Sequence, residues 1–278
     1  MIKFLKNLLK SKTETFKDKT NFKELVSKKE VQELFKLINS YSNESEVRFV
    51  GGCVRKLINN EVVDDIDLST NLRPEKVIEI LKNYNINFYE TGINHGTVTA
   101  VINDKSFEIT SLRKDIKTDG RHAQVKYTKD WLDDASRRDF TINAIYSDIE
   151  GNLFDPFNGK NDLKNGLIKF IGDPAIRIKE DYLRILRYIR FSLVYSKNQH
   201  DKNTLKIIKQ NLSGLKIVSK NRQLQELKKI ISIKDFNKIN LDKYLKELFL
   251  LIFPEIKLIN RINNLDNLKN DILRNKSF

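Results

Sequence analysis

Apolar residues in the first half of the chain alternate between the spacing of helices and that of strands. Residues 22–38 carry apolar side chains at near-helical intervals, and Val47-Arg48-Phe49-Val50 is a short, mostly apolar stretch typical of a strand. Pro74 begins a second helical pattern, since proline is favoured in the first turn of a helix. Two more strands are predicted over 96–102 and 106–112. The first half is therefore predicted to be a mixed α/β unit.

The apolar spacing becomes helical from about residue 180 onward. Leucine and isoleucine recur at helical intervals over 183–191, 224–231 and 245–252. The second half of the chain is therefore predicted to be all helical. Between the halves, residues 114–130 are polar and charged and have no periodicity, so they are predicted to form a mobile loop.

A glycine pair and a pair of acids follow one another in the first half. Gly51 and Gly52 lack Cβ atoms, so the backbone can bring its N–H groups close to a phosphate, and Arg55 adds positive charge. Alone, such a pair is more often only a turn. Asp65 and Asp67 alternate on a predicted strand and therefore point the same way. Two convergent carboxylates suit Mg²⁺.

Glu108 strengthens the metal interpretation. It faces away from the core in the predicted strand 106–112, and three carboxylates on adjacent strands can hold two metal ions and activate a hydroxyl. Each acid alone is equally explained as surface charge. Together they make the chain a candidate phosphoryl- or nucleotidyl-transfer enzyme, with Asp65, Asp67 and Glu108 as candidate catalytic residues and the two aspartates as metal ligands.

Two arginines and an acid end a short helix that is predicted to begin at Trp131. Arg137 and Arg138 can clamp phosphate oxygens, and Asp139 can accept a hydrogen bond from a ribose hydroxyl. A structural cluster of ion pairs is the alternative.

Asp181, Arg184 and Arg187 recur every third residue in the later helical pattern. Side chains three apart on a helix are neighbours, so these residues are predicted to lie along one stripe. An ordinary salt bridge within the helix is one explanation. The other is base recognition, because an acid acceptor beside an arginine donor matches the base edge that cytosine and adenine share, and not that of guanine or uracil.

The net charge of the chain indicates which kind of partner it binds, and its cysteine content indicates the cellular compartment. Fifty-one basic against 37 acidic residues give a net charge of +14, which favours a polyanion such as nucleic acid, although an AT-rich genome also inflates lysine. The single cysteine, Cys53, excludes an internal disulfide framework and fits a reducing compartment. No apolar run approaches the roughly 20 residues that cross a bilayer, so a cytoplasmic location without membrane contact is expected.

Four segments, in this order, resemble the motifs of class II tRNA nucleotidyltransferases. These are the CCA-adding enzymes of the polymerase-β-like superfamily, and bacterial poly(A) polymerases are close relatives. The segments are GGCVR at 51–55, DID at 65–67, RRD at 137–139 and EDYLR at 180–184. The resemblance implies an α/β head of the polymerase-β-like nucleotidyltransferase type, with a mixed sheet and helices, followed by an all-α neck and a shortened α-helical body.

The resemblance also implies a role for each matching residue. Asp65 and Asp67 match the Mg²⁺ ligands, and Glu108 matches the third carboxylate of the head. The implied nucleotide-binding residues are Gly51, Gly52 and Arg55 for the triphosphate, Arg137, Arg138 and Asp139 for the ribose, Asp181 and Arg184 for the base, and Arg187 and Arg190 for the continuing basic stripe.

The resemblance extends to two further segments, and at one residue the sequence departs from the family pattern. Arg113 and the loop after it resemble the flexible segment that helps such enzymes change from C to A addition. The run 219–230, with Arg222 and Glu226, is similar to the last family motif, a helix that braces the nucleotide-binding neck. Lys56 stands where many members have Asp, a departure expected to alter a structural contact rather than catalysis.

The resemblance implies a division into domains and an activity. The expected domains are a head over 1–148 with an N-terminal helix, a helical neck over 149–232, and the start of a body over 233–278 whose tail is reduced or absent. The expected activity is template-independent addition of C, C and A to the 3′ acceptor end of tRNA, from CTP and ATP and with Mg²⁺. A poly(A) polymerase or A-adding enzyme that uses ATP alone stays open, as does an inactive RNA-binding protein.

Overall fold

The computed structural model describes residues 19–118 and 123–254. The chain divides into two compact units. The first contains the residues up to Ile116 together with Gln124–Lys160, and the second contains Lys117–Ala123 together with the residues from Asn161 onward. Residues 1–18 of the predicted head and the part of the predicted body beyond residue 254 lie outside the described residues.

Short helices alternate with strands in the first unit, as the apolar pattern predicts. The helices are α1 (Thr20–Val26), α2 (Lys29–Asn39), α3 (Gly52–Ile58), α4 (Pro74–Asn83) and α5 (Trp131–Arg137). The near-helical spacing over 22–38 corresponds to two helices, which are separated at Ser27 and Lys28. Ser27 caps α1 by donating from Oγ to the Glu24 carbonyl at 2.9 Å, and the backbone of Lys28 is extended before α2 begins.

A seven-stranded mixed sheet forms the centre of the first unit. Its strands are β1 (Val47–Val50), β2 (Ile66–Thr70), β3 (Asn87–Tyr89), β4 (Thr97–Ile102), β5 (Lys105–Ser111), β8 (Tyr146–Ser147) and β9 (Leu153–Phe154). Their spatial order is β3-β4-β5-β2-β1-β8-β9. Only β2 and β5 pair in parallel among these strands, and every other neighbouring pair is antiparallel.

Helices cover one face of this sheet. Apolar residues of α1 to α4, such as Leu34 and Val77, pack with Phe49, Leu68 and Phe107 of the strands in one buried cluster. Side chains alternate between the two faces of a strand, so the residues between these apolar positions point to the opposite face. The candidate acids lie on that opposite face.

The segment predicted as a mobile loop over 114–130 is instead a two-stranded ribbon, so the loop prediction is wrong. Its strands are β6 (Arg113–Thr118) and β7 (Ala123–Tyr127). Apolar and polar residues alternate along a strand only when one of its faces is buried. The strands of this ribbon are mostly polar, so their sequence has too little alternation from which a strand could be predicted. Gly120 lies outside the described residues.

The rest of the chain is helical, as predicted, up to residue 254. Its helices are α6 (Gly159–Asn165), α7 (Pro174–Glu180), α8 (Leu183–Tyr195), α9 (Lys202–Gln210), α10 (Lys220–Ile231) and α11 (Lys243–Ile252). In the part of the chain that the structure describes, every helix is too short or too polar to span a bilayer.

Candidate active site

Asp67 and Glu108 lie side by side on the open face of the sheet. They are register partners on the parallel strands β2 and β5, and partners of this kind share a face. Strand β2 begins at Ile66, so Asp65 lies one residue before the strand and is exposed. The structure therefore brings Asp67 and Glu108 together in the sheet, with Asp65 at its margin.

The electrostatics of this pair are those of a cation site. Burial raises the pKa of Asp67, and the neighbouring Glu108 and Asp65 charges raise this pKa further, against the opposing effect of Arg138 and Arg55. Negative charge is thus incompletely balanced here, and a divalent cation would stabilise it.

The donor set fits a cation that shares its coordination sphere with a substrate. Within residues 19–118 and 123–254, no group of three or more His, Cys, Asp or Glu side chains is arranged to hold a metal alone. Mg²⁺ is commonly held by one or two carboxylates, with phosphate oxygens and water as its other ligands. Asp67 and its neighbour Asp65 provide that number of carboxylates.

Gly51 and Gly52 place the backbone directly against the acids and two arginines. Gly51 has φ 63° and ψ −116°, a conformation that L side chains rarely adopt, and it allows the sharp turn from β1 into α3. A Cβ added to Gly52 would lie 3.6 Å from Asp67 Oδ2 and 3.8 Å from Arg55 Nη2, and one added to Gly51 would lie 3.7 Å from Arg138 Nη1. Both glycines therefore border the same small space as the acid and the guanidinium groups.

Arg137 and Arg138 are both held by Asp134, a residue that the sequence interpretation did not single out. Asp134 Oδ1 accepts from Arg137 Nε at 2.8 Å, and Asp134 Oδ2 accepts from Arg138 Nη2 at 3.0 Å and from the Tyr146 hydroxyl at 2.7 Å. Arg138 Nη2 also lies 3.4 Å from Ser69 Oγ on β2. The spacing of Asp134 from the two arginines, three and four residues along a helix, is the sequence signal that could have identified it.

The charge state of Asp134 follows from these contacts. Burial by itself raises the pKa of this carboxyl, but the Arg138 and Arg137 charges, with the hydrogen bonds from Tyr146 and Arg137, bring its pKa well below the usual range. Asp134 is therefore an ionised, fully buried anchor for the arginine pair.

Asp139 is buried and connects to Arg55 through Asn143. Its Oδ1 accepts from Asn143 Nδ2 at 2.7 Å and from the Phe140 backbone N–H at 2.9 Å. The Asn143 side-chain oxygen in turn accepts from Arg55 Nη1. Asp139 thus orients the residue that contacts the guanidinium beside Gly52.

Lys56, the position that departs from the family, forms an ion pair with Asp64. This contact lowers the pKa of Asp64, chiefly through the hydrogen bond from Lys56. Asp64 Oδ1 also accepts from the Asp65 backbone N–H at 3.0 Å. The exposed Asp64 therefore belongs to a structural pair next to the candidate metal ligand.

In the second unit, Asp181 does not lie on a helical stripe with Arg184 and Arg187, so this prediction is wrong. Helix α7 ends at Glu180, Asp181 has an extended backbone with φ −156°, and α8 begins at Leu183. Asp181 Oδ1 accepts from the Leu183 backbone N–H at 3.1 Å. Aspartate is favoured just before a helix because its carboxylate accepts from the free N–H groups there, and this preference interrupts the helix.

Asp181 and Arg184 each pair with another residue. Asp181 Oδ2 accepts from Arg222 Nη2 of α10 at 2.8 Å. Arg184 Nη1 donates to Glu180 Oε2 at 2.6 Å and to the Arg177 carbonyl at 2.7 Å. The salt bridge between Asp181 and Arg184, one of the two explanations of their spacing, is therefore replaced by two separate pairs.

The guanidinium groups of Arg187 and Arg190 both lie close to one aromatic ring in α8. Their guanidinium carbons lie 5.3 Å and 4.3 Å from the ring centre of Phe191. Arg190 also pairs with the buried Glu226 of α10. Helix α10 therefore supports α8 through Glu226 and the preceding turn through Arg222, which is the bracing role that the resemblance implies.

A mixed sheet that carries paired acids beside a glycine turn and guanidinium groups is the architecture that the resemblance implies for a nucleotidyltransferase head. Residues 47–169 match the family described as the poly A polymerase head domain. The predicted resemblance is thus confirmed, as is the predicted α/β head with its mixed sheet and helices, whereas the shortened body stays a prediction.

Curated relatives are similar over about two thirds of this chain. The human mitochondrial CCA tRNA nucleotidyltransferase 1 is 47% identical over 189 residues, which are 67% of this chain and 44% of the relative. A CCA-adding enzyme of Lactobacillus helveticus is 40% identical over 187 residues, which are 66% of this chain and 46% of the relative. The chain therefore spans about half the length of the curated relatives it matches.

Solved structures of CCA-adding enzymes are also similar to this chain. The Bacillus stearothermophilus CCA-adding enzyme in complex with CTP superimposes with a TM-score of 0.66 at 29% identity, over 79% of this chain and 50% of that one. A CCA-adding enzyme in complex with ATP gives a TM-score of 0.61 at 25% identity, over 79% of this chain and 52% of that one.

Proposed function

We propose that this protein is a template-independent RNA nucleotidyltransferase that adds C, C and A to the 3′ acceptor end of tRNA, using CTP and ATP and releasing pyrophosphate. The observation that carries the proposal is the placement of Asp67, which lies beside Glu108 in the sheet and directly against Gly52 and Arg55. Nucleotidyl transfer needs an acidic cation site and a triphosphate cradle in one place, and this arrangement provides both.

Asp65 and Asp67 would hold Mg²⁺ in this site. The bound cation would supply Lewis acidity towards the attacking 3′ hydroxyl and would neutralise charge on the phosphates. Glu108, next to Asp67, would help to orient or deprotonate that hydroxyl.

The glycine turn and the arginines would hold the nucleotide in line for attack. Backbone N–H groups at Gly51 and Gly52 and the guanidinium of Arg55 would bind the triphosphate. Arg137, Arg138 and Asp139 would act at the sugar and phosphate. Because Asp134 and Asn143 hold these side chains in fixed positions, little reorganisation is needed when the nucleotide binds.

Base selection would fall to the second unit. Asp181 would accept from the exocyclic amine of cytosine or adenine, and Arg184 would donate to the adjacent ring nitrogen. Arg187 and Arg190 would extend the positive charge along α8. The net charge of +14 suits an RNA partner held mainly through its phosphates.

A second candidate is a polymerase or A-adding enzyme that uses ATP alone. The observation that favours it is the family that residues 47–169 match, which is named for poly A polymerase. Such an enzyme would use the same acids and the same cradle, so only the product separates the two functions.

One incubation separates these candidates. The protein is given tRNA that ends at the discriminator base, with Mg²⁺ and with CTP, ATP or both. Growth by two residues with CTP alone and by three with both nucleotides supports CCA addition. Long tails with ATP alone support the second candidate, and failure to extend any RNA supports an inactive RNA-binding protein.

The domain division and the compartment are also proposals. The division into a head over 1–148, a neck over 149–232 and a body from 233 follows the positions of the motifs. A cytoplasmic location is favoured by the single, buried Cys53, which suits a reducing compartment. Several relatives are named as mitochondrial, so localisation of the tagged protein in its own cell is the test.

A further inference from the structure

The residue row that contains the candidate acids extends across the whole sheet. Asp67 pairs with Glu108 on β5, Glu108 with Thr99 on β4, and Thr99 with Tyr89 on the edge strand β3. In the other direction, the register of β1 puts Val50 opposite Asp67, and Val50 pairs with Tyr146 of β8. Partners in adjacent strands share a face, so the row lies on the face that the helices of the core leave open.

The two sides of the sheet differ in how much of this row is exposed to solvent. Tyr146 and Val50 are buried, with 0% and 4% of their surface exposed, whereas Glu108 is exposed and Tyr89 is 61% exposed. Among the described residues, the half of the face on β5, β4 and β3 is therefore the accessible one next to the acids.

The buried half is covered by α5 and the residues that follow it. The Arg48 guanidinium lies 4.2 Å from the centre of the Trp131 ring, and Arg138 Nη2 lies 3.4 Å from Ser69 Oγ. Arg48 and Ser69 are register partners on β1 and β2, so the chain closes over these two strands. The glycine turn lies on this covered side too, since Gly51 directly follows β1.

This asymmetry determines the direction from which an RNA end can reach the acids. In the proposed reaction the triphosphate occupies the cradle at Gly51 and Gly52, on the β1 side. The strand that carries the attacking 3′ hydroxyl must then reach Asp67 from the opposite side, over β5, β4 and β3. Strands are about 4.8 Å apart, so Tyr89 lies about 14 Å from Asp67 along this path.

Resting on the proposed function, we infer that Glu108, Thr99 and Tyr89 line the path of the RNA 3′ end and that Tyr89 stacks against one of its terminal bases. An exposed tyrosine offers a flat ring on which any base can stack, which suits an end whose sequence changes with each addition. In the part of this row on β5, β4 and β3 the charged residue is the acid Glu108, and its neighbours Thr99 and Tyr89 are uncharged. Stacking, rather than pairing of phosphates with cations, is thus the contact that this face can provide.

The test compares two tyrosines that differ in the side of the sheet on which they lie. Tyr89→Ala removes the ring from the path. Tyr84→Ala removes a ring of similar exposure, 57%, at the end of α4. This helix packs on the other face of the sheet, away from the acids. Tyr89→Phe keeps the ring and removes only the hydroxyl. Each variant is titrated with a fluorescent tRNA that ends in a 3′-deoxynucleotide, so that binding is measured without extension.

Tyr89→Ala is expected to raise the Kd for this RNA between about fivefold and about a hundredfold. Tyr89→Phe and Tyr84→Ala are expected to stay within about twofold of the wild type. The ratio of the Tyr89→Ala Kd to the wild-type Kd is expected to be equal at low and at high salt, because stacking releases no counterions. In steady state, Tyr89→Ala is expected to raise KM for RNA and to leave KM for CTP unchanged.

An unchanged Kd for Tyr89→Ala would overturn the inference. An equal loss of RNA affinity in Tyr89→Ala and Tyr84→Ala would also overturn it, and so would an equal loss in Tyr89→Ala and Tyr89→Phe. Labelling of RNA by the wild type tests the proposed function separately. An active wild type with an unaffected Tyr89→Ala variant overturns the inference alone, whereas a wild type that neither labels nor binds RNA overturns both.

Discussion

Asp181 accepts a hydrogen bond from Arg222 at 2.8 Å, while Arg184, three residues further along the chain, donates to Glu180 instead. The acid and the arginine proposed to read the base are thus each held by a separate partner. Arg222 fixes the orientation of the Asp181 carboxylate, and Glu180 fixes that of the Arg184 guanidinium. Base selection should therefore depend on residues that need not touch the base.

Removal of Arg222 is expected to weaken base selection more than catalysis. Arg222→Ala removes the charged donor that orients the Asp181 carboxylate. A hydrogen bond to a charged group contributes about 1.5 to 3 kcal/mol, so the preference for CTP is expected to fall by roughly tenfold to a hundredfold. The kcat/KM for CTP is expected to fall towards that for UTP, while kcat at saturating CTP changes little. Lys220→Ala, an exposed substitution on the same helix, is the control. An unchanged ratio of CTP to UTP use in Arg222→Ala would contradict this role.

The two glycines of the cradle are expected to respond in opposite ways to the same added methyl group. Gly51 has φ 63°, so Gly51→Ala should lower the free energy of unfolding by at least about 1 kcal/mol. Gly52 is the first residue of α3, where alanine is tolerated, so Gly52→Ala should fold normally. Its Cβ would stand next to Asp67 and Arg55, and KM for CTP should rise about tenfold.

Urea denaturation and CTP kinetics of the two variants check this pair of expectations. A Gly52→Ala variant with wild-type KM would show that the triphosphate does not approach this turn. A Gly51→Ala variant with wild-type stability would show that its backbone conformation is not required.

Asp134 is expected to stabilise the fold at neutral pH, because it is buried with two arginines. Asp134→Asn leaves these cations without their counter-charge and should lower the free energy of unfolding by about 3 kcal/mol. Asp133→Asn, which removes the partially exposed partner of Lys114, should cost at most about 1 kcal/mol. Urea denaturation of both variants provides the comparison, and equal effects would contradict the anchoring role.

The pH dependence of this difference follows from the lowered pKa of Asp134. In the unfolded chain the carboxyl titrates near its ordinary value of about 3.9, and in the folded protein it titrates lower. Its stabilising contribution is therefore complete above about pH 5 and is lost as the pH falls through the folded-state value. The gap between the wild type and Asp134→Asn should be constant near neutral pH and should narrow only in acid.

Elements with a strong local signal could be predicted from the sequence. The apolar run Val47–Val50 is β1, and Pro74 begins α4, because alternation and proline act over a few residues. Side chains alternate between the two faces of a strand, so the two predicted strands also indicate that Asp67 and Glu108 share a face of the sheet.

Partners that are distant in sequence could not be predicted in this way. Arg222 reaches Asp181 from 41 residues away, and no periodicity encodes that contact. The spacing of Asp181 from Arg184 predicts a position inside a helix, whereas the Asp181 carboxylate caps the next helix. The preference of aspartate for helix starts competes with the helical pattern, and here it prevails.

The most direct test of the central claim is the rate at which Asp67→Asn transfers labelled CMP from CTP to tRNA that lacks its 3′ end. Asp64→Asn is the matched control, since Asp64 is exposed and pairs with Lys56. Loss of a metal ligand at the reacting phosphate costs several kcal/mol, so the rate for Asp67→Asn is expected to fall at least about a thousandfold while thermal unfolding stays near that of the wild type. Asp64→Asn is expected to keep most of the activity. Wild-type transfer by a folded Asp67→Asn protein would contradict the assignment of this site.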